Sequence, residues 1–401
     1  MSKPIRVAYL LSNPIQYQAP LLKKLSEFPD ISLEVLFQSQ RSLKPHTMPG
    51  FNVVASWDVS LVEGYRHYFL PCIGSDEHFS FFRPWNYGLL KKFRQEKYQV
   101  LWVHGYSSFF NLYAILLAKM FGMKVLVRGE SHLLALQRGY WREKLRRPFF
   151  YLLNKLVDGF LTVGSLNRQF YEYYHIPAHK LFFAPYTVDN DFFQRKFIAA
   201  THKVSALKAE LTLDANKPVI LYASSLLTRK HPGDLLAAYV QLSPDGKQAP
   251  DAYLIFVGDG VERSLLEQKS RELGWDTIKF LGFKNQTELP AYYAMSDIFV
   301  LPSEKETWGL VVNEAMNAGK AIIVSDQVGS GYDLVKSGEN GFVFRARDVE
   351  ALSQFLRQLI HDRAMVMRMG TQSAQRIQQW GIHETAQGIR SACLTVTGDS
   401  H

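Results

Sequence analysis

Short, nearly continuous apolar runs alternate with longer amphipathic stretches along most of this chain. A run with no polar break is what a strand covered on both faces requires. In the first half such runs predict strands at Ile5–Ser12, Ile31–Phe37, Val100–Gly105, Lys124–Val127, Phe160–Val163 and Leu181–Ala184. Helical spacing of apolar residues predicts helices at Ala19–Phe28, Asn111–Phe121 and Arg142–Leu156. From Phe192 to Ala215 the pattern breaks into a connector with a polar helix. Pro218 opens a second series, with strands predicted at Val219–Ala223, Tyr253–Val257, Ile278–Gly282, Ile298–Leu301, Ala321–Ser325 and Gly341–Phe344. Strands alternating with helices argue for parallel sheets with crossover helices. The expected fold class is therefore α/β: two facing, Rossmann-like, doubly wound domains, with ligands at the carboxyl ends of the strands.

Composition narrows this without redirecting it. The chain has 401 residues, 47% hydrophobic and 21% charged, which suits two ordinary globular domains. Its two cysteines, Cys72 and Cys393, share no ligand spacing, and the twelve histidines form no H-E-x-x-H cluster. A reduced, cytoplasmic protein with no bound metal is the expectation. The start runs straight into a strand pattern, without the apolar core of a secretory signal, and no stretch is apolar for the roughly 20 residues of a spanning helix. The formal net charge of +9 favours anionic partners: phosphates, nucleic acid or an acidic membrane face.

The segment with the most chemistry runs from Ile298 to Ser325. A strand ends at Pro302, a loop Glu304-Lys305-Glu306-Thr307-Trp308-Gly309 follows, and a helix begins near Leu310 and stops before Gly319. A helix start offers unpaired N–H groups and a positive dipole end, a natural seat for a pyrophosphate. Gly309 lets the backbone approach such a guest closely. Glu306 and Glu314 lie eight residues apart and supply carboxylates that accept strongly from sugar hydroxyls. Upstream, Ser225-Leu-Leu-Thr-Arg229-Lys230 follows the first strand of the second series. Lys230 offers a point charge for leaving phosphates, and Arg229 a forked donor.

The run Glu306-Thr-Trp-Gly-Leu-Val-Val-Asn-Glu314-Ala-Met-Asn-Ala-Gly319 closely resembles the E-x7-E signature of family 4 of the retaining glycosyltransferases. Phe256-Val257-Gly258-Asp259-Gly260, Phe280-Leu281-Gly282-Phe283 and Ser296-Asp297-Ile298 are similar to further family segments in the same order. The resemblance implies the GT-B fold and a nucleoside diphosphate sugar as donor, with no further cofactor. It implies that Glu306 contacts the donor sugar and Glu314 the ribose, and that backbone near Leu310 and Val311 holds the diphosphate. Thr307, Trp308 and Gly309 frame that site, while Gly258, Gly282 and Phe283 meet the nucleotide. Ser225 stands where the family usually has an arginine, a departure that removes one expected phosphate cation.

On this reading residues 1–195 form an acceptor-binding domain, 215–370 the donor-binding domain, and 371–401 a helix crossing back to the first. The first loop, Ser12-Asn13-Pro14-Ile15-Gln16-Tyr17-Gln18, has no glycine fingerprint, which counts against a dinucleotide dehydrogenase. Asn13, Gln16 and Gln18 are acceptor-side candidates. Arg128-Gly129-Glu130-Ser131-His132 follows a strand where the family often carries a histidine near the reacting sugar, so His132 is a candidate catalytic residue and Glu130 its acceptor-side rival. Asp189-Asn190-Asp191 has the D-x-D form but lies far from the donor motifs, and no metal role is assigned to it. Two basic and aromatic stretches, His78–Trp85 and Arg138–Phe150, suit a peripheral contact with an anionic membrane. They fit a carbohydrate or lipid-linked acceptor in bacterial polysaccharide or glycoconjugate synthesis. No nucleic-acid-binding signature is present. Two other readings stay open: a sugar-nucleotide epimerase of similar shape, and a sugar-nucleotide-binding protein that has lost turnover.

Overall fold

The computed structural model describes residues 3–47, 50–51, 53–135 and 140–398. Its residues gather into two compact units. One comprises Met1–His46, Val59–Thr187 and Gly381–His401, the other Thr47–Asp58 and Val188–Trp380. The excursion Thr47–Asp58, which the sequence pattern left inside the first domain, therefore groups with the second.

The first unit is built on strands β1 (Ile5–Leu11), β2 (Ile31–Phe37), β3 (His67–Phe69), β4 (Val100–His104), β5 (Lys124–Arg128), β6 (Gly159–Thr162) and β7 (Leu181–Phe183). All pair in parallel, in the order β7-β6-β5-β4-β1-β2-β3. Neighbours β1 and β4 are not consecutive, so the chain reverses direction across the sheet there, and the loops that follow those strands diverge into a crevice. One face buries Leu10, Leu36 and Val103 against Phe110, Ala114 and Ile115 of the helix Phe109–Met120. The other face buries Tyr9, Val35 and Trp102 against Leu22 of the helix Ala19–Ser26 and Ile389 and Cys393 of the helix Ile382–Thr397. Each such fully buried Leu or Ile contributes about 1.5–3 kcal/mol relative to exposure. The last helix is tied down by polar contacts as well. Thr385 donates to the Pro185 carbonyl (2.8 Å), and Arg390 pairs with Asp30 (2.5 Å).

The second unit holds β8 (Val219–Ala223), β9 (Tyr253–Val257), β10 (Ile278–Phe280), β11 (Ile298–Leu301), β12 (Ala321–Ser325) and β13 (Gly341–Phe344). Their order is β10-β9-β8-β11-β12-β13, again all parallel. The switch here lies between β8 and β11. The sequence expectation of two doubly wound parallel sheets is met. The connector begins as one helix, Asn190–Glu210, whose first turn is capped by Asp189 accepting from the Phe192 amide (2.8 Å). Asn190 inside the D-x-D run also works structurally, accepting from Asn317 Nδ2 (2.7 Å) and donating to the Ile377 carbonyl (3.0 Å). Among the described residues, no helix is long and apolar enough to cross a membrane.

Candidate active site

In the second unit the loops after β8 and β11 are stitched together at the switch point. The Arg229 carbonyl accepts from the amides of Glu304 (3.0 Å) and Lys305 (3.4 Å), and its guanidinium returns a bond to the Lys305 carbonyl (3.0 Å). Arg229 itself is exposed, whereas its neighbour Lys230 is turned inward and only 7% exposed. This knitting brings Lys230 Nζ into direct contact with Glu306 Oε2. Burial, and then repulsion from Arg229, pushes the Lys230 ammonium down to about 7. The touching Glu306 carboxylate acts in the opposite direction. Beside them His231 bridges Glu304 (2.9 Å) and Asp234 (3.5 Å).

Downstream, Gly309 is the N-cap of the helix Leu310–Asn317 and has a left-handed backbone, φ +91°. A Cβ there would stand 3.1 Å from both Glu306 Cγ and Leu301 Cδ2, so only glycine leaves Glu306 its place. Leu310 and Val311 open the helix and present its first-turn N–H groups, the positive end of its dipole. Thr307 is exposed at the rim. Trp308 is buried, donates to Asn313 Oδ1 (3.0 Å) and packs on Trp380 at 5.6 Å. It anchors the loop rather than lining an open surface. Glu314 is wholly buried and accepts from the Tyr293 hydroxyl (2.7 Å).

Gly258 and Gly282 are joined by a backbone bond, Gly258 N to Gly282 O, at 2.8 Å. Gly258, at φ +139°, lies so close beneath the Ser224 carbonyl that any side chain would collide. Its glycine serves this loop crossing. Phe283 meets Phe51 of the excursion edge to face at 5.2 Å. That excursion is held by Asp58, which accepts from the Thr287 amide (3.0 Å), and by Asn285, which donates to the Ser56 carbonyl (2.7 Å).

In the first unit the loop after β1 is tied to itself and to its neighbour. Asn13 accepts from Ser12 Oγ (3.1 Å), and the Pro14 carbonyl accepts from Asn13 and from Ser42 Oγ (2.7 Å). Gln16 is half-buried, and Gln18 is buried at the start of the first helix. The loop after β5 holds more chemistry. Glu130 accepts from His104 Nε2 (3.2 Å) and from the Tyr186 hydroxyl. His104 Nδ1 in turn accepts from the Tyr9 hydroxyl (2.9 Å), the tautomer this chain of bonds requires. Burial opposes the Glu130 charge, but the bonds from His104 and Tyr186 and the nearby Arg128 win and hold its carboxyl down at about 2. Arg128, buried, stacks on the Tyr186 ring at 4.5 Å. His132, two residues on, lies beside Tyr106, Phe149 and Phe170. It is 4% exposed, and burial lowers its pKa.

Sequence reasoning missed His104, Tyr186, Tyr9 and Asn167. Asn167 donates to the carbonyls of Gly129 (3.1 Å) and Ser131 (2.6 Å) and so fixes the loop that carries Glu130. The available signal was position: His104 is next to last in a predicted strand, and Tyr186 lies two residues past the end of another.

Residues 204–376 match the family described as "Glycosyl transferases group 1". The chain is 28% identical over 207 residues to the sulfoquinovosyl transferase SQD2 of Arabidopsis thaliana, covering 51% of this chain and 38% of that protein. It is 30% identical over 175 residues to the alpha-monoglucosyldiacylglycerol synthase of Acholeplasma laidlawii, covering 43% and 42%. The aligned stretches thus span less than half the length of either relative. In fold, the chain is similar to Anabaena HepE in complex with UDP, with TM-score 0.73 and 17% identity over 98% of this chain and 100% of that one. The family match is confined to residues 204–376, and the architecture is the GT-B fold.

Proposed function

We propose that the chain, with a group 1 glycosyltransferase domain as its second half, is a retaining hexosyltransferase that moves a sugar from a nucleoside diphosphate to an acceptor hydroxyl. The observation that carries this reading is the Lys230–Glu306 contact at the sheet's switch point, one turn ahead of the Gly309-capped helix start. Lys230, with Arg229 and the amides of Leu310 and Val311, would stabilise the departing diphosphate, an electrostatic task suited to a buried ammonium. Glu306 would receive a donor-sugar hydroxyl, Glu314 would serve the ribose, and the Gly282–Phe283 turn would meet the base. With no covalent nucleophile assigned, the leaving phosphate would take the acceptor's proton. HepE, similar in fold, was solved in complex with UDP, which supports a nucleotide ligand.

The acceptor side is assigned to the first unit: Asn13, Gln16, Gln18 and Glu130, with His132 on the same loop as Glu130. Peripheral membrane contact at an anionic surface is part of the proposal. Leu116 (53% exposed) and Met120 (82%) stand on one helix, with Leu145 (73%) and Tyr151 (60%) on the helix Tyr140–Leu156, which also exposes Lys144, Arg147 and Lys155. The His78–Trp85 stretch joins them, Phe82 lying 5.7 Å from Phe109. Apolar rings among basic residues are what a headgroup layer accepts. Arg138 lies outside the described residues, as does the side chain of Arg142. The Acholeplasma relative is an alpha-monoglucosyldiacylglycerol synthase, which supports a lipid acceptor.

The test is product analysis on a panel of nucleoside diphosphate sugars with and without acceptors. Transfer by the wild type, abolished in Glu306→Ala while nucleotide binding persists, is the expected result. Conversion of the donor with no acceptor present would make the protein an epimerase. Nucleotide binding without any turnover across the panel would make it a binding protein.

A further inference from the structure

The first unit contains a cavity of about 340 Å³ that the transfer reading has not used. It is entered at the carboxyl edge of the sheet. Tyr106 and Ser107 come from the loop after β4, Ser131 and His132 from the loop after β5, and Arg146 and Phe149 from the helix Tyr140–Leu156. The walls are preorganised. Tyr106 donates to Ser131 Oγ (3.0 Å) and packs on Phe149 at 5.9 Å, while Asn167 clamps the Ser131 carbonyl at 2.6 Å. His132 therefore has little freedom to swing out. Its ring is buried, yet neither nitrogen has a hydrogen-bond partner among the described residues. A neutral imidazole always carries one donor and one acceptor, and leaving both buried and unsatisfied is costly, so the site calls for a polar occupant. No carboxylate lines the cavity among the described residues, and the Arg146 guanidinium brings a positive charge to it.

We propose that this cavity binds a hydroxylated ring carrying one anionic group, such as a sugar phosphate or an acidic sugar, as the acceptor. Arg146 holds the anion, His132 and Ser107 hydrogen-bond ring hydroxyls, and the Phe149 face packs on the ring's C–H side. The inference rests on the transferase reading and supplies what that reading lacks, the chemistry of the acceptor. It also gives His132 a role in binding rather than in bond breaking. The same group can arrive free in solution or as the headgroup of a lipid.

The experiment uses the full chain in two binding arms: glucose 6-phosphate in solution, and vesicles with or without phosphatidylinositol. UDP and other nucleoside diphosphates serve as the independent control, and inorganic phosphate as the probe without a ring. The expected result is binding in at least one arm, weakened about tenfold or more in Arg146→Ala, with nucleotide binding unchanged. Arg146 is only partly buried, so the variant folds, and His132→Asn provides a second, milder lesion that weakens the same arm. The soluble arm alone would identify a free acceptor, and the vesicle arm alone a lipid headgroup. The proposal is overturned if neither arm binds to a protein that does bind nucleotide, if Arg146→Ala binds as well as wild type, or if inorganic phosphate binds equally well. Loss of nucleotide binding across the panel, with ring-anion binding intact and sensitive to Arg146, would remove the transferase reading and leave the cavity assignment standing.

Discussion

If the Lys230 ammonium stabilises the departing diphosphate, the pH dependence of catalysis must carry its signature. An ordinary lysine loses its proton near 10.5, but burial and Arg229 bring Lys230 to about 7, and the opposing pull of Glu306 makes that value a lower bound. The profile of kcat/KM for the donor reports groups of the unliganded enzyme. It is expected to fall by about tenfold per pH unit above an apparent pKa between about 7 and 10.5. Two units above that pKa the loss is about a hundredfold. The profile of kcat itself should break at higher pH, because bound diphosphate favours the charged amine. In Lys230→Arg the basic limb should vanish, since a guanidinium keeps its proton throughout, whatever the variant's plateau rate. Stability runs the opposite way. Between the two pKa values the unfolded chain binds more protons, so stability from this site rises with pH over that window, by at most about 5 kcal/mol. A limb that persists unchanged in Lys230→Arg, or a wild-type profile that shows no fall above about pH 10.5, refutes the reasoning.

Three further outcomes are expected. Gly309→Ala places a Cβ at 3.1 Å from Glu306 Cγ in a left-handed conformation. It should cost about 1–2 kcal/mol in thermal melts and reduce kcat/KM disproportionately, whereas unchanged activity would show that Glu306 needs no such room. Tyr293→Phe removes a hydroxyl donated to the buried Glu314 carboxylate. Urea denaturation should register a loss of about 2 kcal/mol, and a neutral result would mean the carboxylate is satisfied without it. Leu145→Glu with Tyr151→Glu, both at exposed positions, should abolish flotation with anionic vesicles while sparing turnover of a soluble acceptor. Flotation that survives the pair would dismiss this face as the membrane contact.

Much of the fold was readable because buried parallel strands announce themselves. Val219–Ala223, Ile298–Leu301 and Ala321–Ser325 are apolar runs with no polar interruption, and each is a strand with those limits. Gly319, expected to end a helix in a left-handed turn, has φ +65°. What the pattern could not supply was partnership over distance. The edge strand His67–Phe69 is only three residues long and mixes polar with aromatic positions, so it has no periodicity of its own and exists by pairing with β2. The excursion Thr47–Asp58 has no long apolar run to declare its attachment, whose contacts among the described residues include one carboxylate, one amide and one ring. Nor does any local feature foretell that the Arg229 carbonyl will clamp the loop that carries Glu306.

The contest between Glu130 and His132 shows where that limit bites for function. Both belong to one loop, both are chemically competent, and the sequence ranks them only by residue type. Tertiary contacts from elsewhere separate them. Asn167 pins the carbonyls of Gly129 and Ser131, and that fixes the loop's path. Along it, Glu130 meets a histidine from β4 and a tyrosine beyond β7, which stabilise its ionised form, and its side chain stays 42% exposed. His132 instead falls among aromatic rings, where desolvation keeps the imidazole neutral. A permanently ionised carboxylate at a strand's end suits hydrogen bonding to an acceptor hydroxyl, but with a pKa of about 2 it is a poor proton acceptor near neutral pH. On the proposed transfer, deprotonation of the acceptor would then fall to the departing phosphate, and this makes a prediction for the pair. Glu130→Gln should raise KM for the acceptor more than it lowers kcat, while a large fall in kcat with an unchanged KM would restore the carboxylate as the base.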